Sequence, residues 1–216
     1  MKNPWVIVGV IAIILFGGAI WYSNSVSSSS NEGVDVTAHI TGNPDAPVKL
    51  IEYSDFQCPA CAAFNPVVKQ ALEMYGESIS FEYRHFPLPI HNYASQAGVS
   101  AEAAGQQGKF FEYGDLLFTN QNQWSNAQTP NSFFLSYAEE LRLDMDTFKQ
   151  HQRSTLLRDA VRDGYNEARD MGLSGTPTFV LNGEIMEFST YQEFLDQIGE
   201  AVSDPAGFEI DDTLSE

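Results

Sequence analysis

A chain of 216 residues, 43% hydrophobic and 19% charged, is long enough for one ordinary globular domain and carries an apolar surplus besides. Its 29 Asp and Glu residues outnumber 11 scattered Lys and Arg, for a formal charge of -18. A nucleic-acid reader needs clustered cations to displace counterions, so that class of partner is excluded. The acidic excess reads as a solvated surface, with adaptation to salt or attraction to basic unfolded chains as sharper alternatives.

The apolar surplus sits at the start. Residues 5–22 form an uncharged run of roughly 18, close to the ~20 that a helix needs to cross hydrocarbon. A cleaved signal peptide has a shorter apolar core of ~7 to 15 residues and a small-residue cleavage site. Here the run ends in Ala19-Ile20-Trp21-Tyr22, aromatics suited to a membrane interface, and no Ala-x-Ala pattern follows. Residues 1–22 are therefore expected to form one N-terminal transmembrane helix that stays uncleaved. Lys2 precedes the run and no Lys or Arg follows it before Lys49, so the positive-inside bias leaves the N-terminus cytoplasmic and exports the rest. Residues 23–42, rich in Ser, Asn and Gly at their start, read as a flexible tether. Asn43-Pro44-Asp45-Ala46-Pro47 is a turn cluster that opens a folded domain spanning 43–203.

Within that domain Val48–Ser54 reads as a strand running directly into Phe56-Gln57-Cys58. The next segment carries Phe64, Val67, Val68, Ala71, Leu72 and Tyr75 at helical spacing, with Pro66 expected to kink it. Ile79–His85 alternates as a second strand. Helical stripes then fill residues 91–172, an expected block of four or five helices, closed by Gly172 as a C′ glycine. Asn182-Gly183 marks a hairpin between Thr178–Leu181 and residues 185–188. Thr190-x-x-Glu193 is a capping box for a last helix, and residues 204–216 form an acidic tail.

The chemistry-bearing motif is Cys58-Pro59-Ala60-Cys61, placed where a strand ends and a helix begins. The attacking species in thiol exchange is a thiolate, and a helix start offers free N–H groups and the positive end of the dipole, so Cys58 is expected to be acidic. Cys61, one turn deeper, is placed to attack a mixed disulfide on Cys58. Two other readings compete with this one. A zinc site needs further paired Cys or His ligands, and His39, His85, His91 and His151 show no such spacing. A structural bridge closing so short a loop would remove little entropy from the unfolded chain.

The stretch Glu52-Tyr53-Ser54-Asp55-Phe56-Gln57-Cys58-Pro59-Ala60-Cys61, with Gly172-Leu173-Ser174-Gly175-Thr176-Pro177-Thr178-Phe179, resembles the DsbA-like family of thiol:disulfide oxidoreductases from about residue 43 to 202. The resemblance implies an α/β thioredoxin fold with an inserted all-helical block. It further implies that Pro177 is cis and faces the cysteine pair, leaving the backbone of Thr176 to pair with a substrate strand; the bland reading is an edge-strand proline. Glu52, six residues before Cys58, matches a position where the family often keeps a buried acid that could take the proton of Cys61; otherwise it is a surface Glu. Strong oxidants of the family often carry His at the place of Ala60, and Ala60 cannot stabilise a thiolate as His does. His85 reads as a satisfied core or surface residue rather than a proton carrier.

The expectation is thus an extracytoplasmic oxidoreductase on a single-pass anchor, needing no cofactor or metal beyond its redox-active disulfide. It would introduce disulfides into reduced, unfolded exported polypeptides through a mixed disulfide at Cys58 that Cys61 resolves. By resemblance, a quinone-linked membrane partner would reoxidise it. The alternatives are a disulfide reductase or isomerase using the same pair, or a membrane-tethered holdase whose cysteines are incidental.

Overall fold

The computed structural model describes residues 29–205, together with Val8, Ile11 and residues 13–18. Strands β1 (His39–Gly42), β2 (Val48–Ser54), β3 (Ile79–His85), β4 (Thr178–Leu181) and β5 (Glu184–Ile185) form one mixed sheet in the order β1-β3-β2-β4-β5. β2 lies at its centre, parallel to β3 and antiparallel to β4. Because side chains alternate across a strand, Val48, Leu50, Glu52 and Ser54 share one face, with Ile51 and Tyr53 on the other. The first face packs under α1 (Pro59–Tyr75) and α8 (Tyr191–Ser203), where Val48, Leu50, Phe64, Phe179, Phe194 and Ile198 join the main core. Each such side chain contributes ~1.5–3 kcal/mol on full burial. On the other face Tyr53, Phe86, Ala168, Leu173 and Val180 make a smaller core. Helix α1 buries Cys61, Phe64, Val67, Val68 and Ala71 at spacings of three and four, and is continuous through Pro66.

The helical insertion runs between β3 and β4. It consists of α2 (Ala94–Gly105), α3 (Phe110–Thr119), α4 (Gln121–Trp124), α5 (Asn131–Glu140), α6 (Met145–His151) and α7 (Thr155–Asp170). That is six helices where four or five were expected, because α4 has only four residues and shows no period of its own. Helix α7 lies close on β3 through Gly164, whose Cβ, if present, would sit 2.6 Å from the carbonyl oxygen of His85. It ends as expected at Gly172, with φ of 77°, and the Gly172 and Leu173 N–H groups donate to the carbonyls of Arg169 and Ala168. Strand β5 is shorter than the expected 185–188: Met186 N still donates to the Phe179 carbonyl, after which the chain leaves the ladder and Phe188 packs on Phe64 and Phe194. Thr190 accepts from Glu193 N as a capping residue, and the Glu193 carboxylate accepts from Ser189 N, one residue earlier than in the usual box.

The tether expected over 23–42 is corrected from residue 29 onward. Asn31 Oδ1 accepts from Ser154 Oγ and from the Thr155 N–H, occupying a donor at the start of α7, and Gln150 Nε2 donates to the Ser29 carbonyl. Residues 39–42 then extend the sheet as β1, antiparallel to β3. Their polar composition signalled a linker because these residues contribute hydrogen-bonding groups rather than apolar bulk. Of the expected anchor over 1–22, Val8, Ile11 and residues 13–18 are helical with exposed apolar side chains, and the remainder lies outside the described residues. Among the described residues no helix is long and apolar enough to cross a membrane. The tail from 206 also lies outside them.

Candidate active site

The central strand delivers Glu52 and Ser54 to the sheet's end and then turns through Asp55, Phe56 and Gln57 into the cysteine pair. That turn is held from several sides. The buried Asp55 carboxylate accepts from Gln57 N at 2.7 Å and from Leu88 N at 2.8 Å, and lies 2.7 Å from His91 Nδ1, while its carbonyl accepts from Cys58 N. The Gln57 side-chain oxygen accepts from Tyr93 N, and Gln121 Nε2 on α4 donates to the carbonyls of Phe56 and Cys58 at 2.8 and 2.9 Å. With so many backbone groups occupied, the position of Cys58 is fixed before any substrate arrives.

Cys58 is the N-cap of α1, in extended backbone with φ of -75° and ψ of 121°, and Pro59 follows in the first turn. Both cysteines are free thiols, Cys58 7% exposed and Cys61 fully buried, with Pro59 and Ala60 exposed between them. The hydrogen bond from the Cys61 thiol does most to favour the Cys58 thiolate. Burial opposes it, but the Thr176 side chain and the N–H groups of Cys61 and Ala60 add to the effect, bringing Cys58 from near 9 down to about 5. Cys61 moves the other way: burial, then the neighbouring Cys58 and the charge of Glu52, push its thiol well up. The structure therefore separates the pair into an acidic, slightly exposed sulfur and a proton-holding one that is completely buried.

The Thr176-Pro177 peptide bond is cis, and Cys58 Sγ donates to the Thr176 carbonyl at 3.4 Å. Thr176 and Pro177 are half-buried beside the sulfur. Thr176 was singled out for its backbone alone; its hydroxyl, which has no well-directed partner in the dithiol form, is a further donor able to turn toward a thiolate. Glu52 is 4% exposed and faces the main core rather than solvent. Burial raises its carboxyl from 4.5 to about 7, opposed by the Ser54 hydroxyl and aided by the charge of Cys58. The seven residues Glu52, Cys58, Pro59, Ala60, Cys61, Thr176 and Pro177 thus come together at one end of the sheet. Asp55, Gln121 and Ser54 belong to the same place and were not singled out. Asp55 lay inside the quoted motif, but nothing in the sequence tied Gln121, on its very short helix, to the loop.

His85 is buried, its Nε2 2.8 Å from Glu102 Oε1, which also meets His39 Nε2 at 2.9 Å. Burial alone would raise Glu102; the two imidazoles more than reverse this and hold it at about 2. This cluster ties β1 and β3 to the helical insertion. Among the described residues no group of three His, Cys, Asp or Glu side chains could hold a metal ion.

These features define a thioredoxin-type fold with an N-capping cysteine pair opposite a cis-proline. The chain belongs to the thioredoxin family, whose profile matches residues 34–200. Among relatives, a protein named Na(+)/H(+) antiporter NhaA 3, from Salinispora tropica, is 39% identical over 146 residues. That match takes in 67% of this chain but only 22% of the antiporter, so the chain spans about a fifth of that relative's length. The fold is shared with Wolbachia pipientis alpha-DsbA1 (TM-score 0.69, 20% identity, covering 82% of this chain and 96% of that one). It is also shared with oxidised BdbD from Bacillus subtilis (TM-score 0.67, 19% identity, covering 80% and 95%).

Proposed function

We propose that the chain is an extracytoplasmic thiol:disulfide oxidoreductase, DsbA-like, that introduces disulfides into exported polypeptides through Cys58 and Cys61 while its N-terminal helix holds it at the membrane. The observation that carries this reading is the division of labour in the pair: a helix-capping thiolate held near 5 and a deeper thiol pushed up. A stabilised thiolate favours the dithiol over the disulfide, so the disulfide form is an electron acceptor. Ala60 contributes no cation to that stabilisation, and the oxidising strength rests on Cys61, Thr176 and the helix start.

In the oxidising direction a substrate thiolate attacks Cys58 Sγ, the Cys58–Cys61 bond breaks, and Cys61 leaves as a thiolate that takes up a proton. A second substrate thiolate then attacks the substrate sulfur of the mixed disulfide, and Cys58 leaves as its stable thiolate. Two electrons pass to the enzyme, and the dithiol must return them to a membrane partner, by family resemblance a quinone-linked protein. Electron counting corrects the expectation that Cys61 releases the oxidised substrate: attack by Cys61 on the mixed disulfide returns the substrate reduced, and belongs to the reverse reaction.

The membrane setting is supported by the exposed apolar helical residues near the N-terminus and by the antiporter relatives, in which a segment like this one forms part of a protein named for ion transport. Their transport activity is not carried over, since the matched segment is a fifth of them. The test is catalysed oxidation of a reduced, unfolded polypeptide bearing two cysteines. Wild type should oxidise it stoichiometrically and Cys58→Ala should not; a holdase would instead suppress aggregation equally well in both.

A further inference from the structure

The Cys61 thiolate that leaves in the first exchange is the least stable species of the cycle, because its sulfur is fully buried and is pushed toward the protonated form. Glu52, on the same side of the sheet, acts on Cys61 through its charge, with no hydrogen bond between the two. Ser54 stands on the same strand face as Glu52, and its side chain acts on both groups. Its hydroxyl favours the ionised form of Glu52, of Cys61 and also of Tyr83. Ser54 is 1% exposed, and its backbone carbonyl is fixed by the N–H of Phe86 at 2.8 Å. Its Oγ has no well-directed partner within the protein, and the same is true of Glu52 Oε1 and Tyr83 Oη. Buried polar atoms are almost always paired, so three such atoms gathered beside a reacting sulfur call for an explanation. A hydroxyl is both donor and acceptor and rotates, so it can hand a proton on without keeping a charge.

We infer that Ser54 is the proton relay of the cysteine pair: its hydroxyl gives a proton to Cys61 Sγ as the Cys58–Cys61 bond breaks and is refilled in the same step from the Glu52 carboxyl. In the reverse direction Cys61 yields its proton to Ser54 while the Glu52 carboxylate takes the Ser54 proton, and the Cys61 thiolate attacks Cys58. One S–S bond forms for each one broken, and the single proton ends on Glu52 or on Cys61. Glu52 in turn lines a cavity of about 130 Å3 that reaches the half-exposed Lys69–Asp115 ion pair between α1 and α3, a route by which solvent can exchange its proton. A carboxyl held at about 7 is matched to both halves of that exchange at neutral pH.

This inference deepens the proposed redox function and rests on it, and the two fail differently in one experiment. Reduced protein is mixed with 5,5′-dithiobis(2-nitrobenzoate), and release of the chromophoric thiol is followed in time. The first phase reports attack by Cys58, the second the attack of Cys61 on the mixed disulfide. In Ser54→Ala the first phase should keep its wild-type rate, whereas the second should slow about 100-fold, the lower end of the range for general acid–base catalysis. Ser54→Thr, which keeps the hydroxyl, should recover most of the loss. Unchanged kinetics, or equal slowing of both phases, overturns the relay and leaves the redox function standing. Should Ser54→Ala not fold, wild type in heavy water decides: slowing of the second phase but not the first supports the relay, and no slowing of the second phase overturns it. Loss of the fast first phase in wild type itself would instead remove the redox function.

Discussion

Replacing Glu52 by Gln should change how stability depends on pH in a way fixed by the burial of its carboxyl. In the unfolded chain this group titrates near 4.5, and in the folded protein near 7. A carboxyl whose folded value is raised contributes stability that is fully present below 4.5, declines as the pH rises, and is lost above 7. The gap of about two and a half pH units, at 1.36 kcal/mol each, is worth about 3 kcal/mol. Glu52→Gln removes that titration and leaves a buried amide, whose imperfect pairing adds an offset independent of pH. Urea unfolding of both proteins, kept reduced so that the cysteines contribute alike, should show wild type losing about 3 kcal/mol relative to the variant between pH 4.5 and 7, a relative midpoint shift of about 1 to 2 M. Above pH 7 the two curves should run parallel. Parallel curves across the whole range would refute a desolvated carboxyl at this position, and with it the proton store beside Cys61.

The other expectations follow from the same geometry. Cys58 is depressed from near 9 to about 5, so its contribution to the reduced protein is fully present above pH 9 and lost as the pH falls through 5, while the oxidised protein has no such group. The stability of the reduced form relative to the oxidised should therefore grow between pH 5 and 8, by about 2 kcal/mol after allowing for screening of a partly solvated thiolate, as read by paired denaturant titrations. Glu102→Gln should lower stability at pH 7 by about 1–3 kcal/mol and remove an acid-unfolding component: the depressed carboxylate contributes fully above 4.5 and loses that contribution as the pH falls through about 2. Asn31→Ala removes the partner of Ser154 and Thr155, and should destabilise by about 1 kcal/mol while raising amide exchange over residues 29–36.

What could be read in advance divides along physical lines. β2, β3 and β4 were legible because alternation along a strand is local, and α1, α7 and α8 because their stripes and caps are. The cysteine pair was legible since its chemistry depends on a junction of strand and helix that both flanks announce. Residues 29–42 misled because they dock by hydrogen bonds from Asn31, Gln150 and His39, and composition rewards only apolar burial. Gln121 was invisible for another reason: it acts on the Phe56 and Cys58 carbonyls, 65 and 63 positions away, from a helix of four residues, whereas Ser54 stood inside the motif but is not an unusual residue there. His85 was read as a satisfied core or surface residue, and finding its bond to Glu102 required knowing that α2 folds back over β3.

The most direct measurement is the ultraviolet titration of thiolate in the reduced protein, with Cys58→Ser as the reference. A single thiolate appearing with a midpoint near 5, and absent from the reference, is the result expected of a helix-capping sulfur held ionised by Cys61, Thr176 and the start of α1. Two thiols that stay protonated until about pH 9, as ordinary cysteines do, would contradict it.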